Sequence, residues 1–402
     1  MMEAIMGMVR LKEGRDKPLR QRHPWVFSGA VESTQGDAEA GDLVIVTDHT
    51  GQYLATGYTN PHSQIRVRLL SWDPNEAIND AFWQARLRRA LDGRRALALA
   101  PDTNAYRLVS AEADGMPGLV VDVYDETLVM QCQSAGAAQR RDLFRDLLYA
   151  ELRPAAMIER SDISAREKEG LPPQKEMLIG RLESFQLPIL EHRRRFMVDV
   201  WDGHKTGFYL DQRPNRALFG RESWLASKTV LNVFAYTGGF AVYAATAGAA
   251  RITNVDSSIP ALELAERNVQ LNAPGREDDD YVAGDAFAYL RHLRDKGEKF
   301  DAVILDPPKF AHSRRDVAHA ARGYKDLNLQ ALQLIRPGGL LATFSCSGHI
   351  RRDLLQKILF GAAIDAGREA QIIGQLTQGA DHPILASFPE SEYLKGFLCR
   401  IW

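Results

Sequence analysis

Apolar and polar positions fall into three patterns along the chain. Up to about residue 72 they alternate over short runs. "DLVIVTD" and "QYLATGYT" flank the turn "HTGQ", and "SQIRVRLLSW" sets Ile65, Val67 and Leu69 against Arg66 and Arg68. A period of two predicts half-buried strands, here a compact all-β unit to which "HPWVFSGAV" adds an aromatic strand. From 76 to 190 the pattern is mixed. "NDAFWQARLRRALDGRRALAL" has helical spacing, with Phe82, Leu87 and Leu91 among its apolar positions. "GLVVDVYDETLVMQCQ" predicts a hairpin, "AQRRDLFRDLLYAEL" a helix, "AAMIERSD" a strand, and "LPPQKE" a loop. From 191 onward, apolar runs alternate with helical segments: "TVLNVFAYTGG", "ARITNVDSS", "DYVAGD", "FDAVILDPPKF" and "GGLLATFSCS" are strands, with helices between them. A helix over "IPALELAERNVQLN" has Pro260 in its first turn, where the missing N–H costs nothing. Strand–helix alternation predicts a doubly wound α/β sheet, closed by a final strand pair in "QIIGQLT" and "YLKGFLCRIW". The expected organisation is an all-β domain over 1–75, an α+β domain over 76–190 and a Rossmann-like α/β domain over 191–402.

Composition adds little to the fold and something to the setting. The 402 residues are 45% hydrophobic and 25% charged, as in ordinary globular proteins, and exceed what one core comfortably serves. Three scattered cysteines, Cys132, Cys346 and Cys399, with no C-x-x-C pair, predict neither disulfides nor a zinc site and fit a reducing cytoplasm. No stretch has the ~18 apolar residues of a membrane span. The net charge of −2 hides basic clusters at 10–22, 86–95, 192–195 and 312–315, which predict a phosphate-rich partner more strongly than the total does.

Ligands of a doubly wound sheet sit beyond the carboxyl ends of its strands, where strand order reverses. "NVFAYTGGF" (232–240) ends the first strand of this region in a glycine turn, with Phe234, Tyr236 and Thr237 leading into Gly238 and Gly239. Asp256 follows 18 residues after Gly238, a spacing suited to a carboxylate that binds ribose hydroxyls. The turn lacks G-x-G-x-x-G, so a dinucleotide is disfavoured. A cofactor with adenine and ribose but no phosphate fits, and S-adenosylmethionine is one. Asp285, followed by Ala286, ends the third strand and is placed to meet the adenine amino group, or else caps a helix. Asp306-Pro307-Pro308-Lys309 forms a stiff turn whose carboxylate and carbonyls are fixed acceptors, suited to a planar base with an exocyclic amino group. Cys346, in "FSCSG", ends an apolar strand. On position alone it is either a nucleophile or a small buried side chain.

"LDPPKF", "RGYKDLN" and "FSCSG" together resemble the bacterial 23S rRNA cytosine-C5 methyltransferases, which join an N-terminal PUA domain to a class I methyltransferase domain. The resemblance spans almost the whole chain through "RHPWVFSGAV", "DGMPGLVVDVY", "RSDISAREKEG", "DGHKTGFYLDQR", "FAYTGGFAV" and "YLKGFLCR". It implies S-adenosylmethionine as donor, a cytosine of 23S rRNA or of a large-subunit precursor as acceptor, Cys346 as nucleophile and Asp306 as the acid beside it. It also implies Asp256 and Asp285 as donor-binding acids, with Lys205, Phe208, Asp211 and Arg213 bordering the donor pocket. Many RNA cytosine-C5 methyltransferases carry a second cysteine after the proline of the acidic turn; here Lys309 stands beyond Pro308.

The implied chemistry explains a thiol. Cytosine C5 is electron-poor, and a thiolate adding to C6 makes C5 nucleophilic. Asp306 is the candidate to stabilise charge developing toward N3. Asp306, His349 and water stay open as the base that removes the C5 proton. RNA contacts are expected from the 10–22 run, including Arg22, with Trp25 and Phe27, from Pro307, Pro308 and Lys309, and from Arg314, Arg315, Arg322 and Lys325, with Tyr324 stacking on a base. A homodimer is compatible with the sequence. Three alternatives remain: methylation of a base nitrogen, which needs no cysteine; a non-catalytic RNA-binding protein; and, more remotely, an NAD-dependent oxidoreductase.

Overall fold

The computed structural model describes residues 3–311 and 313–402; His312, in the basic run 312–315, lies outside them. The chain divides into two compact units. One comprises the chain up to Leu187 with Asp199–Phe208 and Ala380–Ser391. The other comprises Pro188–Val198, Tyr209–Gly379 and Glu392–Trp402.

The first unit holds two sheets. Strands β1 (Ile5–Leu11), β2 (Trp25–Phe27), β3 (Val31–Gly36), β4 (Leu43–Thr47), β5 (Tyr53–Thr59) and β6 (Ile65–Ser71) lie in the order β2-β6-β5-β4-β1-β3. Val9, Val26, Val46, Val67 and Leu69 fill its interior. Strands β7 (Ala105–Ser110), β8 (Leu119–Tyr124), β9 (Thr127–Cys132), β10 (Ala156–Ser161) and β11 (Gln174–Ile179) form the second, in the order β11-β10-β9-β8-β7. The run read as a loop, "LPPQKE", is therefore partly strand: Gln174, Lys175 and Glu176 begin β11, which pairs antiparallel with β10. Their polar side chains hid it. Stretches 1–75 and 76–190 each keep a sheet, yet they share a core. Tyr58 and Leu70 pack in one cluster with Trp83 and Leu87 of the helix Asp80–Arg95 and with Leu119 and Met130. That second use of β6 explains Leu70, an apolar residue on what alternation marks as the polar face.

The second unit begins with a hairpin, β12 (Gln186–Glu191) and β13 (Arg194–Asp199), that the sequence reading missed. The basic run 192–195 covers its turn, His192 and Arg193, both at positive φ, and the first two residues of β13. The main sheet follows: β14 (Thr229–Val233), β15 (Arg251–Asp256), β16 (Asp280–Ala283), β17 (Phe300–Leu305), β18 (Ile335–Ser345), β19 (Ala370–Thr377) and β20 (Lys395–Ile401), in the order β16-β15-β14-β17-β18-β20-β19. β14 to β18 are parallel, and β20 runs antiparallel between β18 and β19. Helices on both faces explain the unbroken apolar runs of the central strands. Leu231, Val255, Val303 and Leu341 pack with Leu290, Leu327 and Leu355 from helices Ala286–Asp295, Val317–Leu334 and Arg352–Ala366. Strand order reverses at β14, so the turns after β14 and β17 meet at the switch point.

Candidate active site

The turn after β14 is tightly wound. Phe234, Tyr236 and Gly238 all have positive φ, which non-glycine residues adopt only when their surroundings hold them there. Ala235 N–H donates to Val255 O at 2.9 Å, and Tyr236 N–H to Asp256 Oδ2 at 2.8 Å. Asp256 Oδ1 accepts from Ser258 N–H at 3.0 Å. The carboxylate is thus fixed at the end of β15 with lone pairs left over for a ligand. Gly238 serves packing as well as conformation. A Cβ there would stand 2.9 Å from the Cβ of Ala265 on helix Ile259–Asn272. Asn268 ties the turn from the same helix, its Nδ2 donating to Thr237 O at 3.0 Å. Thr237 is buried, and among the described residues its hydroxyl has no hydrogen-bond partner. An anchored carboxylate, a strained turn and an orphaned buried hydroxyl fit an adenosine-type donor held over this turn. Phe234, Tyr236, Thr237, Gly238 and Asp256 all lie here. Asp285 lies at the end of β16 and caps helix Ala286–Asp295, accepting from Ala288 N–H at 2.8 Å. Its side chain is exposed, and Ala286 is buried as the first helical residue.

The turn after β17 carries Asp306, Pro307, Pro308 and Lys309. Asp306 Oδ2 accepts from Gln212 Nε2 at 2.9 Å, and Gln212 Oε1 accepts from Asn215 Nδ2 at 2.6 Å. Gln212 sits between Asp211 and Arg213 but was not singled out; nothing in its type advertised the role. Asp211 is buried, its Oδ2 accepting from the Tyr393 hydroxyl at 2.7 Å, and Arg213 is buried at the start of helix Arg213–Phe219. Tyr209 was missed as well. Its ring stands edge-on to Tyr236, with centroids 5.3 Å apart. Burial first, and then the Asp306 carboxylate, push its hydroxyl pKa well up, so it stays a neutral donor. Lys205 and Phe208, grouped with these residues in the motif, belong to the first unit. There Phe208 is buried, its N–H donating to the Tyr124 hydroxyl at 3.1 Å, and Lys205 is exposed.

Cys346 follows β18. Cys132 and Cys399 are buried, and burial pushes the Cys399 thiol up to about 12; Cys346 is part-exposed. Its Sγ lies 3.9 Å from Pro307 O, bringing the sulfur beside the acidic turn. Both flanking serines are structural. Ser345 Oγ donates to the Tyr324 hydroxyl at 2.9 Å, Ser347 Oγ lies 3.2 Å from that hydroxyl, and Ala311 N–H donates to Ser347 Oγ at 3.3 Å. Tyr324 therefore does not offer a stacking face. It is 1% exposed, with its ring 4.8 Å from that of Phe310. Its place in helix Val317–Leu334, one turn from Leu327 and Asn328, turns it inward; the expectation of a base contact is corrected to support of the cysteine loop. Pro308 and Lys309 are exposed and Pro307 is buried.

In the first unit, Arg22 is exposed with its guanidinium 5.3 Å from the Trp72 ring. Trp25 is half-buried. Its Nε1 donates to Glu112 Oε1 at 2.7 Å, and its ring meets Arg68 and Phe388. Part of the 10–22 basic run is also engaged, Arg20 pairing with Asp16 and Asp48.

Residues 9–72 match the PUA-like domain, and residues 174–369 match the S-adenosylmethionine-dependent methyltransferase family. Two solved structures share the fold across 99% of this chain and 100% of theirs with a TM-score of 0.85. One is a candidate SAM-dependent methyltransferase from Streptococcus mutans at 22% identity, the other a candidate methyltransferase complexed with SAH at 23%. The chain is 45% identical over 401 residues, covering 100% of both chains, to ribosomal RNA large subunit methyltransferase I of Klebsiella pneumoniae strain 342. It is 46% identical over 391 residues, covering 97% of this chain and 98% of the relative, to the protein of the same name from Escherichia coli O139:H28. The strained turn, the fixed Asp256 and the acidic turn thus belong to an S-adenosylmethionine-dependent methyltransferase with a PUA-like domain, and the chain is a member of the ribosomal RNA large subunit methyltransferase I family.

Proposed function

We propose that this protein methylates carbon 5 of a cytosine in 23S rRNA through a transient bond between Cys346 and cytosine C6. The observation that carries the reading is the approach of the Cys346 sulfur to the Asp306-Pro307 turn, 3.9 Å from Pro307 O. The family's rRNA-directed name supports the substrate class, and a PUA-like domain over 9–72 supports binding of folded RNA. The donor supplies an electrophilic methyl group on a sulfonium.

The chain's own residues do the rest. Cys346, as thiolate, shares an electron pair with C6, and the C5–C6 π electrons become available at C5. Negative charge moves toward N3 and O2. Asp306, carrying a proton and oriented by Gln212, donates to N3. C5 takes the methyl group, a base then removes the C5 proton, and the electrons of that C–H bond restore the double bond as the C6–S bond breaks. The target must be unstacked to reach the turn. Lys309 and Pro308, both exposed, are the proposed contacts at the mouth, and Arg22 and the basic run of the first unit the proposed phosphate contacts. Trp25 remains a proposed RNA contact through whatever of its ring the fold leaves open. Asp211 and Arg213, in the same unit as the donor turn, are proposed as residues that shape donor binding.

The test is methyl transfer from labelled donor to rRNA from a strain lacking this protein, followed by nucleoside analysis. Label should appear as 5-methylcytosine and vanish with Cys346→Ala. N-methylated base, or an active Cys346→Ala protein, would refute the reading.

A further inference from the structure

Lys395 opens β20 directly opposite Ser345 in the ladder, one residue before Cys346. It is 3% exposed. Its Nζ donates to Ser347 O at 3.2 Å and to Ile350 O at 3.3 Å, the two ends of the turn that follows Cys346. Ile350 N–H donates back to Ser347 O at 3.1 Å, so the ammonium closes a turn that is otherwise held by one backbone bond of its own.

An ammonium has three donors, and two are spent on carbonyls. Among the described residues Lys395 forms no ion pair. Glu392, the acid nearest in sequence, is engaged by Arg352 at 2.8 Å. A buried cation without an ion-paired carboxylate is costly unless another anion faces it. Burial lowers the Lys395 pKa, while Glu392 and the Cys346 sulfur act against that shift. Arg352 and Lys309 add positive charge, and the Tyr209 and Tyr324 hydroxyls face Cys346 from two other elements. Both hydroxyls stay protonated, leaving Lys395 as the cation whose hydrogen bonds end on the cysteine's own turn.

We propose that Lys395 is a positioning residue for Cys346: it clamps the 347–350 turn and supplies the positive charge that keeps the neighbouring sulfur ionised. The proposal rests on the reading of Cys346 as the nucleophile. No atom is transferred to or from Lys395. The thiol proton leaves to solvent before attack.

The test uses the donor-free full-length protein and iodoacetamide, with peptide mass analysis of Cys346. Cys132 and Cys399 are both buried, so labelling of the folded protein reports Cys346. In the wild type the alkylation rate should rise at a pH clearly below the ~8.5 of a free thiol. Lys395→Met should move that rise up by about one pH unit, a roughly tenfold slower reaction near neutral pH. Lys395→Arg should keep the wild-type position. A wild-type rise at ~8.5 overturns the proposal, and so does a coincident Lys395→Met profile in protein that still binds S-adenosylhomocysteine by calorimetry. Should Lys395→Met fail to fold, the wild-type and Lys395→Arg profiles decide on their own. An active Cys346→Ala protein would instead remove the nucleophile reading, leaving the alkylation profiles to report on Lys395 and the sulfur alone.

Discussion

Tyr324→Phe deletes one oxygen beneath the Cys346 loop and leaves the ring against Phe310. That oxygen is shared by Ser345 and Ser347, at 2.9 and 3.2 Å, and both serines are 0% exposed. Each hydrogen bond contributes about 1 kcal/mol net, and no water can reach the abandoned hydroxyls easily, so the loss should be about 2 kcal/mol. In a unit of this size that corresponds to roughly 4–8 °C in the thermal midpoint. The two serines flank Cys346, so the loosened loop should also lower the rate of methyl transfer. If half of that free energy is expressed in the transition state, turnover falls about fivefold. The assay pairs a thermal melt with single-turnover methyl transfer at saturating donor, and donor affinity measured separately should be unchanged. A variant with wild-type melting and wild-type turnover would refute the argument that Tyr324 supports the loop. A lowered melt with unchanged turnover would confine Tyr324 to stability.

Gln212→Leu removes the amide that donates to Asp306; a hydrogen bond to a neutral acid contributes about 0.5–1.5 kcal/mol, so kcat/KM should fall roughly 2- to 10-fold in the methyl-transfer assay, with the melt little changed. Gly238→Ala forces a non-glycine residue to φ +78° with its Cβ against Ala265, and should cost about 2–4 kcal/mol in urea unfolding and weaken donor binding by calorimetry. In the first unit, burial pushes the Glu169 carboxyl up, but Arg68, Asn60 and Ser63 outweigh it and hold the group below its ordinary 4.5. A depressed folded value stabilises the fold above the unfolded value and is lost as pH falls through the folded one. Glu169→Gln should therefore be less stable than wild type at pH 7, and the gap in urea midpoint should narrow below about pH 4.5; a constant gap would count against the linkage.

The sequence announced its second unit better than its first. Apolar runs in β14, β17 and β18 were legible because buried parallel strands must be apolar on both faces. The glycine turn and the Asp-Pro-Pro turn were legible because few side chains tolerate those backbones. β11 and the β12–β13 hairpin were not, since half-exposed strands with Gln, Lys, Glu and Arg carry no clean period. Tyr324 misled for a different reason. An aromatic near basic residues suggests stacking, and only helical phase and the two serines at and just past the end of the next strand show that its hydroxyl points inward. Gln212 and Lys395 acquire meaning only through long-range pairing, Gln212 with an acid far along the chain and Lys395 with a turn on the neighbouring strand. Local sequence holds no trace of that.

Both units are completed late by the same stretch of polypeptide. Phe388 seals the Trp25 ring, and Asp381 O accepts from the Arg94 guanidinium at 2.9 Å, so the first unit lacks pieces of its interior until the ribosome has passed residue 391. β20 lies between β18 and β19 and carries Lys395. A chain lacking β20 would hold the donor turn, the acidic turn and Cys346 without the Lys395 bonds to the turn that follows the cysteine. Removing residues 380–402 should therefore disturb both units at once.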